Sequence, residues 1–396
     1  VRPPVIGAAV AALAFCALPG SAAPAAEPSR LAGAASGEAT LEAVDLAGLP
    51  GFPGPDPAVA LDAFRRTCAA PPVAMAPAVT GSAADLAAAC AGAAAVPADG
   101  AAAFFATAFT AHRIVRPAAD GVPERRTGFL TGYFEPELAG SPGPAPGFAA
   151  PVLARPGDLV SLEPGETRPG LDPVLRAGRR TETGLVPYPD RAAIEDGALG
   201  DAAVPLLWLH PVDLFVLQVQ GSGRVRLTDG RVVRVLYDGR NGRPYTAIGK
   251  LIVGEGHLPL DGLTLARWTG WLRDNPETAR RLMRRNQSYI FFKLAPIDDP
   301  TLGPPGAAGV PLSPGHSLAV DATLWRYGLP FWLEASDDPA TGRLAVAADT
   351  GSAIVGPVRG DLYLGTGEAA GVTAGNLRAQ TGFVVLLPRS SAPTAP

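Results

Sequence analysis

Lysine is nearly missing from this chain of 396 residues: Lys250 and Lys293 are the two lysines among 33 basic residues, set against 37 acidic ones. The net charge of −4 and a pI near 5.7 leave no broad basic surface, which excludes nucleic acid as the main partner. Cysteine is scarce too, with three residues, no CxxC pair and no grouping with the four scattered histidines, His112, His210, His257 and His316. A metal site and histidine catalysis are therefore not expected, and nothing in the chain calls for a cofactor. There is no internal repeat, and no apolar run reaches the roughly 20 residues that a membrane-spanning helix requires. Lysine poverty and recurrent alanine runs together suggest a GC-rich coding sequence, so alanine content is weak evidence for helix here.

Glycine and proline are abundant, at 47 and 43 residues, and 47% of the chain is hydrophobic. That combination predicts a sizeable core, many turns and a loop-rich, mainly β protein rather than a helical bundle. The length suffices for two domains at roughly 150 residues each. The start of the chain has one early charge, Arg2, an apolar run from Val5 to Leu18, a Pro-Gly break and small residues at Ser21-Ala22-Ala23. This reads as a secretory signal peptide over residues 1–26, hence an exported, periplasmic protein. Leu13-Ala14-Phe15-Cys16 is a faint lipoprotein box, spoiled by the bulky Phe15, so association with the outer membrane is expected only if Cys16 is lipidated. With Cys16 removed, Cys68 and Cys90 remain and could pair in an oxidising compartment.

Residues 27–56 read as a flexible, Ala/Gly/Pro-rich lead-in, after which "DPAVALDAFRRTCAA", "SAADLAAACAGAAA" and "DGAAAFFATAFTAHRI" have the spacing of three short helices. From Gly128 the texture becomes aromatic and β-branched. "LFVLQVQGSGRVRLTDGRVVRVLY" reads as two or three strands joined by turns, and the Pro/Gly-rich stretch from Pro142 to Tyr188 reads as a long surface loop. Two helices are expected around Leu265–Leu272 and from Asn275-Pro276 to about Asn286, and strands return from Val310 to Leu387. The tail over 389–396 is expected to be disordered.

Asp349-Thr350-Gly351-Ser352 has the form of an aspartic protease loop, but a pepsin-like enzyme needs two such loops and this chain has one. The plainer reading is an Asx turn at Asp349. A turn does not account for the series Asp321, Asp349 and Asp361, each at the border of a short apolar strand. Gly351, Gly356, Gly360, Gly365 and Gly367 would leave the backbone beside these acids open to a bulky ligand such as a polysaccharide.

"SLAVDATLW", "AADTGSAIVGPVRGDLYLG" and "AGNLRAQTGFVVLLP" resemble the module named for three aspartates, found in peptidoglycan-cleaving enzymes. "TGYFEPEL", "GLVPYPDRAAIEDG", "DLFVLQVQGSGRVRLTDG", "YDGRNGRPYTAIGKLIV", "NQSYIFF" and "GVPLSPGHSLAVD" follow the order of blocks in the membrane-bound lytic murein transglycosylase A (MltA) family. The resemblance covers about residues 128–387. It departs after Asp321, where Trp325-Arg326-Tyr327-Gly328-Leu329-Pro330 replaces a Pro-Leu-Gly-type turn, and at the lipoprotein box.

The resemblance implies a mainly β fold with N-terminal helices: a double-psi β-barrel carrying the aspartates, a second β-barrel inserted into it, and a groove between them. The catalytic domain would take residues 57–139 and 250–388, and the insert 140–249. It also implies cleavage of the β-1,4 bond between N-acetylmuramic acid and N-acetylglucosamine without water, leaving a 1,6-anhydromuramoyl end. Asp361 would be the single acid and base, protonated at the start, with Asp349 and Asp321 as supporting carboxylates. Thr131, Tyr133, Glu135, Gln218, Gln220, Ser222, Asn241 and Tyr245 would line the groove, although each also has a structural reading. Gln218 and Gln220 alternate as strand residues do, and Asn241-Gly242 resembles a hairpin turn. Partners would be peptidoglycan glycan strands and cell-wall synthesis or divisome proteins. A non-catalytic wall-binding protein is the rival reading.

Overall fold

A computed structural model describes residues 29–31, 39–71, 82–118, 123–162, 166–338, 341–351 and 353–390. The expected signal peptide, Cys16, Ser352 and residues 391–396 of the tail lie outside the described residues.

The three expected helices are Pro57–Ala69, Ala83–Ala93 and Ala101–Ala108. Pro57 opens the first at a position where a missing N–H costs nothing, and the Ser82 hydroxyl caps the second by accepting from the amides of Ala84 and Asp85. The third stops earlier than its apolar spacing suggests. Phe109–Val115 is instead a strand, paired with Ala39–Val44 on one side and Phe383–Pro388 on the other, so part of the expected flexible lead-in is a strand of the sheet, held by buried Ala39 and Leu41. A Cys68–Cys90 disulfide, with Cα atoms 5.5 Å apart, ties the first helix to the second. Buried Phe64, Phe105 and Phe109 pack edge to face and fasten this helical layer to Trp332, Val346 and Val384 of the sheet beneath.

That sheet has ten strands. In spatial order they are Ser29–Leu31, Ala39–Val44, Phe109–Val115, Phe383–Pro388, Pro330–Leu333, Arg343–Asp349, Ser317–Ala319, Arg359–Thr366, Gly128–Glu135 and Arg378–Thr381. Its other face closes on fully buried Leu130, Leu318, Phe331, Ala345, Leu362 and Val385, so the interior is packed with side chains.

A second sheet of six strands runs Ile290–Ala295, Val232–Arg240, Ser222–Leu227, Glu137–Ser141, Pro205–Leu209 and Ala150–Leu153, with a three-stranded sheet, Leu159–Ser161, Ala177–Thr181 and Gly184–Pro187, beside it. Two expectations change here. The stretch from 142 to 188 is not one surface loop, because it supplies four short strands; its prolines and glycines cut each strand below the length at which periodicity is legible. The return to the first sheet comes after Ala295 rather than at 250, because Ile290–Ala295 pairs with Val232–Arg240.

A third expectation fails at Pro211–Gln220, which is a helix and not a strand. His210 Nδ1 accepts from the Val212 amide, Pro211 takes the first turn, and Gly221 ends the helix at φ +83°. Val212, Phe215 and Val216 recur at helical spacing on the buried side, and that period outweighs the alternation of Gln218 with Gln220. The helices Leu265–Asp274 and Pro276–Arg284 agree with the sequence reading and share a core with Val212, Phe215 and Ile252.

Candidate active site

Backbone register alone assembles the acids. Ala319 pairs in parallel with Asp349 on one neighbouring strand and antiparallel with Asp361 on the other. Asp361 is in turn level with Thr131, and Thr131 with Arg378. Asp349 and Asp361 thus stand two strand spacings apart, roughly 10 Å between backbones, on either side of one small residue.

Thr131 donates its hydroxyl to Asp361 Oδ1 at 2.6 Å and accepts from Arg359 Nη2 at 2.8 Å. Arg359 also donates to the carbonyls of Phe129 and Gly360 and stacks over the Phe129 ring, 5.3 Å from its centroid. Among the described residues nothing donates to Asp361 Oδ2, which leaves that oxygen free to face a substrate. Burial raises the Asp361 carboxyl to a pKa of about 6; the Thr131 hydroxyl and the Arg359 cation pull it down, and the Asp349 charge pushes it up.

Asp349 has a different environment. Its Oδ2 accepts from the Tyr133 hydroxyl at 2.7 Å, and its Oδ1 from the amides of Ala307 and Thr350, both at 2.9 Å. The bond to Thr350 is the expected tight turn; the other two tie the carboxylate to separate elements. Burial raises the Asp349 pKa, opposed by its three donors, and burial together with Asp349 raises that of Tyr133. Tyr327, from the segment where the sequence departs from the family pattern, is also raised by burial and then by Asp349. Asp321 stands apart from this pair. Its Oδ1 accepts from the amide and hydroxyl of Thr323 and its Oδ2 from the Gly356 amide, so it pins the segment leading into the Asp361 strand.

The expected groove residues divide. Thr131 and Tyr133 belong to the Asp361–Asp349 network. Glu135, two residues on, is fully buried: it accepts from Arg224 at 2.8 Å, from Arg234 at 2.7 Å and from the Thr366 hydroxyl at 3.0 Å, clamping the first sheet to the second. It cannot touch a ligand. Gln218 is buried as well, its amide donating to the Ile290 carbonyl.

Asn241 is fully buried and is no hairpin turn. It donates to the carbonyls of Pro189 and Gln287 and accepts from the Tyr289 amide. Gln220 is half-buried, and its carbonyl oxygen accepts from the Phe134 amide, which leaves its NH2 group for a ligand. Ser222 is half-buried at the strand start, and Tyr245 is exposed, outside the Asp361 hydrogen-bond network. Gly360 is needed for packing rather than for ligand access, since a Cβ there would lie 2.8 Å from the Phe383 ring and 3.0 Å from Leu318. Sequence reasoning missed Arg359 and the Arg224–Arg234 clamp. Arg359 had a usable signal, because it precedes Asp361 by two on a strand and must share its face.

A crystal structure of a membrane-bound lytic murein transglycosylase from Agrobacterium tumefaciens is 34% identical and superposes with a TM-score of 0.77, covering 88% of this chain and 98% of that one. The chain belongs to the membrane-bound lytic murein transglycosylase A family. The MltA specific insert domain matches residues 129–293 and the 3D domain residues 316–387. Membrane-bound lytic murein transglycosylase A of Vibrio cholerae is 34% identical over 204 residues, 48% of this chain and 53% of that protein. The chain thus spans about half the length of the curated relatives it matches. The structure of Escherichia coli MltA with bound chitohexaose is 25% identical, with a TM-score of 0.54, over 74% of this chain and 79% of that one. The MltA fold is the expected one: mainly β, with the ten-stranded sheet as double-psi barrel and the 3D domain within it.

Proposed function

We propose that this protein is a lytic transglycosylase of peptidoglycan, cleaving the β-1,4 bond between N-acetylmuramic acid and N-acetylglucosamine with Asp361 as its single acid and base. One observation carries the reading: Asp361 is a half-buried carboxyl with a pKa near 6 and one uncommitted oxygen, while Asp349 is saturated by three donors. A hydrolase needs two working carboxylates. A lyase needs one.

In the first step protonated Asp361 gives its proton to the glycosidic oxygen as the C1–O bond breaks and positive charge develops at C1 and the ring oxygen. In the second step the Asp361 carboxylate takes the proton of the muramoyl C6 hydroxyl as O6 bonds to C1, which closes the 1,6-anhydro ring and returns the acid to its starting state. No water is consumed. Asp349, level with Asp361, raises its pKa through its negative charge, which favours the protonated acid at the start and the developing cation afterwards. Thr131 and Arg359 orient Asp361 Oδ1. Gln220, Ser222 and Tyr245 are the remaining candidates for sugar contacts, the last by stacking on a ring face.

The relatives' names point to the cell envelope. Export to the periplasm and association with cell-wall synthesis or divisome proteins extend this reading, with attachment to the outer membrane only if Cys16 is lipidated. No helix among the described residues is long and apolar enough to cross a membrane. The test is muropeptide analysis of sacculi after digestion. Anhydromuramoyl ends that disappear with Asp361→Asn are expected. Reducing ends would indicate a hydrolase, and binding with no released product would indicate a wall-binding protein.

A further inference from the structure

Between the second sheet and the strands that bear the aspartates runs "TLGPPGAAGVPLSPG", Thr301 to Gly315, without one ionisable side chain. It doubles back on itself as a tight loop. The Gly303 amide donates to the Leu312 carbonyl at 2.8 Å and the Gly306 amide to the Val310 carbonyl at 3.0 Å, with a turn from Gly306 to Gly309 at the tip. Ala308, Val310 and Leu312 are buried against Ala348 and Tyr363. The fit leaves no slack: a Cβ at Gly303 would lie 2.5 Å from the Tyr363 ring, and one at Gly306 would lie 2.5 Å from the Ala348 carbonyl oxygen and 3.2 Å from Asp349 Cβ.

The base of this loop is gripped by the two arginines that hold Glu135. Arg224 donates through Nε to Glu135, and through Nη2 to the carbonyls of Pro300 at 2.9 Å and Leu302 at 3.1 Å. Arg234 divides its donors in the same way, Nε to Glu135 and Nη2 to the Leu302 carbonyl at 3.0 Å. Farther along, Arg66 of the first helix donates to the Ser313 hydroxyl. At the tip, the Ala307 amide donates to Asp349 Oδ1 at 2.9 Å. One packed loop thus joins two buried arginines of the second sheet to the carboxylate level with Asp361.

We propose that Arg224 and Arg234 are positioning residues of the acid site: by fixing the base of the loop they hold the Ala307 amide on Asp349 and keep negative charge there, beside Asp361. The inference rests on the reading of Asp361 as the acid. The titratable groups that face Asp349 are Tyr133, Tyr327 and Asp361, with Arg359 beyond Asp361 and Tyr363 behind the Tyr133 ring, 5.4 Å between centroids. To these the loop adds one amide dipole and no charge. Withdrawing that amide favours the protonated form of Asp349, and Asp361 then loses the neighbouring charge that helps it to keep its own proton. The alkaline fall of kcat/KM therefore moves to lower pH, in the direction of Asp349→Asn and by less.

The test is the pH profile of muropeptide release from sacculi by the full chain, with two variants that act at opposite ends of the loop. Arg224→Lys keeps a cation for Glu135 but has no planar fork to reach the Pro300 and Leu302 carbonyls as well. Gly306→Ala leaves the clamp alone and lifts the tip from Asp349. In each, kcat/KM at pH 7.5 relative to pH 5 should fall about two- to fivefold below the parent ratio, part of the worth of one hydrogen bond to a charged group. In an Asp349→Asn background neither variant should move the profile further. One folded variant suffices to decide. A profile that keeps the parent's shape overturns the proposal, and so does a shift that persists without the Asp349 carboxylate. The end groups of the product separate the two readings: reducing ends would refute the lyase whatever the profiles show, whereas anhydro ends with unshifted profiles would refute the positioning role alone.

Discussion

Replacing Asp361 by Asn should stabilise the protein at neutral pH while abolishing its activity. The cause is burial. In the folded chain the carboxyl titrates near 6, against 3.8 for an ordinary aspartate. Between those two pH values the native state keeps a proton that the unfolded chain has released, so stability falls as pH rises through this window. At 1.36 kcal/mol per pH unit the loss is up to about 3 kcal/mol, complete above pH 6 and absent below about 4. Asn is nearly isosteric, can accept from Thr131 through its carbonyl, and does not ionise, so the variant escapes the loss. Urea denaturation of both proteins at pH 4 and pH 7.5 measures it: the difference between variant and parent should grow by up to about 3 kcal/mol from the lower to the higher pH. Comparing one variant with its parent cancels the titration of groups that are not coupled to Asp361. A difference that does not change with pH, or one that turns against the variant at pH 7.5, would refute the claim that burial raises the Asp361 pKa. Activity should fall by about 10²- to 10⁴-fold, the usual contribution of a general acid and base.

Neighbouring charges should move the pH profile in opposite directions. Asp349→Asn removes a negative charge that raises the Asp361 pKa, so the fall of kcat/KM on the alkaline side should shift to lower pH; Arg359→Gln removes a positive charge that lowers it and should shift the fall to higher pH. An unchanged profile in both variants would remove Asp361 as the titrating acid. Glu135→Ala strands Arg224 and Arg234, both under 10% exposed, and should cost about 3–5 kcal/mol, read as a lowered denaturation midpoint, whereas Gln220→Ala should leave stability within about 1 kcal/mol. Replacing both Cys68 and Cys90 by Ala, which opens a cross-link spanning 22 positions, should cost about 3 kcal/mol in the same assay and leave the pH profile alone.

The three N-terminal helices, the pair around Trp268 and Ala279 and the strands bearing the aspartates were all legible, because each carries its own period, cap or flanking glycine. Where two periods overlapped, the longer-range one prevailed. In Pro211–Gln220 the alternating glutamines suggested a strand, yet His210, Pro211 and Gly221 bracket a helix whose Val212, Phe215 and Val216 face the core. Glu135 and Asn241 were misjudged for another reason. A polar residue inside a short strand or turn looks the same whether it meets a ligand or a buried partner, and those partners, Arg224 and Arg234 or Pro189 and Gln287, lie 46 to 99 positions away.

The amino-acid sequence by itself determined which residues could do acid and base chemistry, that the chain is mainly β, and that one aspartic loop cannot make a pepsin-like site. Tertiary structure decided how the three aspartates differ. Asp321, Asp349 and Asp361 are equivalent as residue types, and their difference lies in what surrounds them: the donors from residues 323 and 356, from residues 133, 307 and 350, and from Thr131 alone. The pKa of a carboxyl depends on its burial and on donors drawn from distant parts of the chain, and those become neighbours only when the sheet has formed.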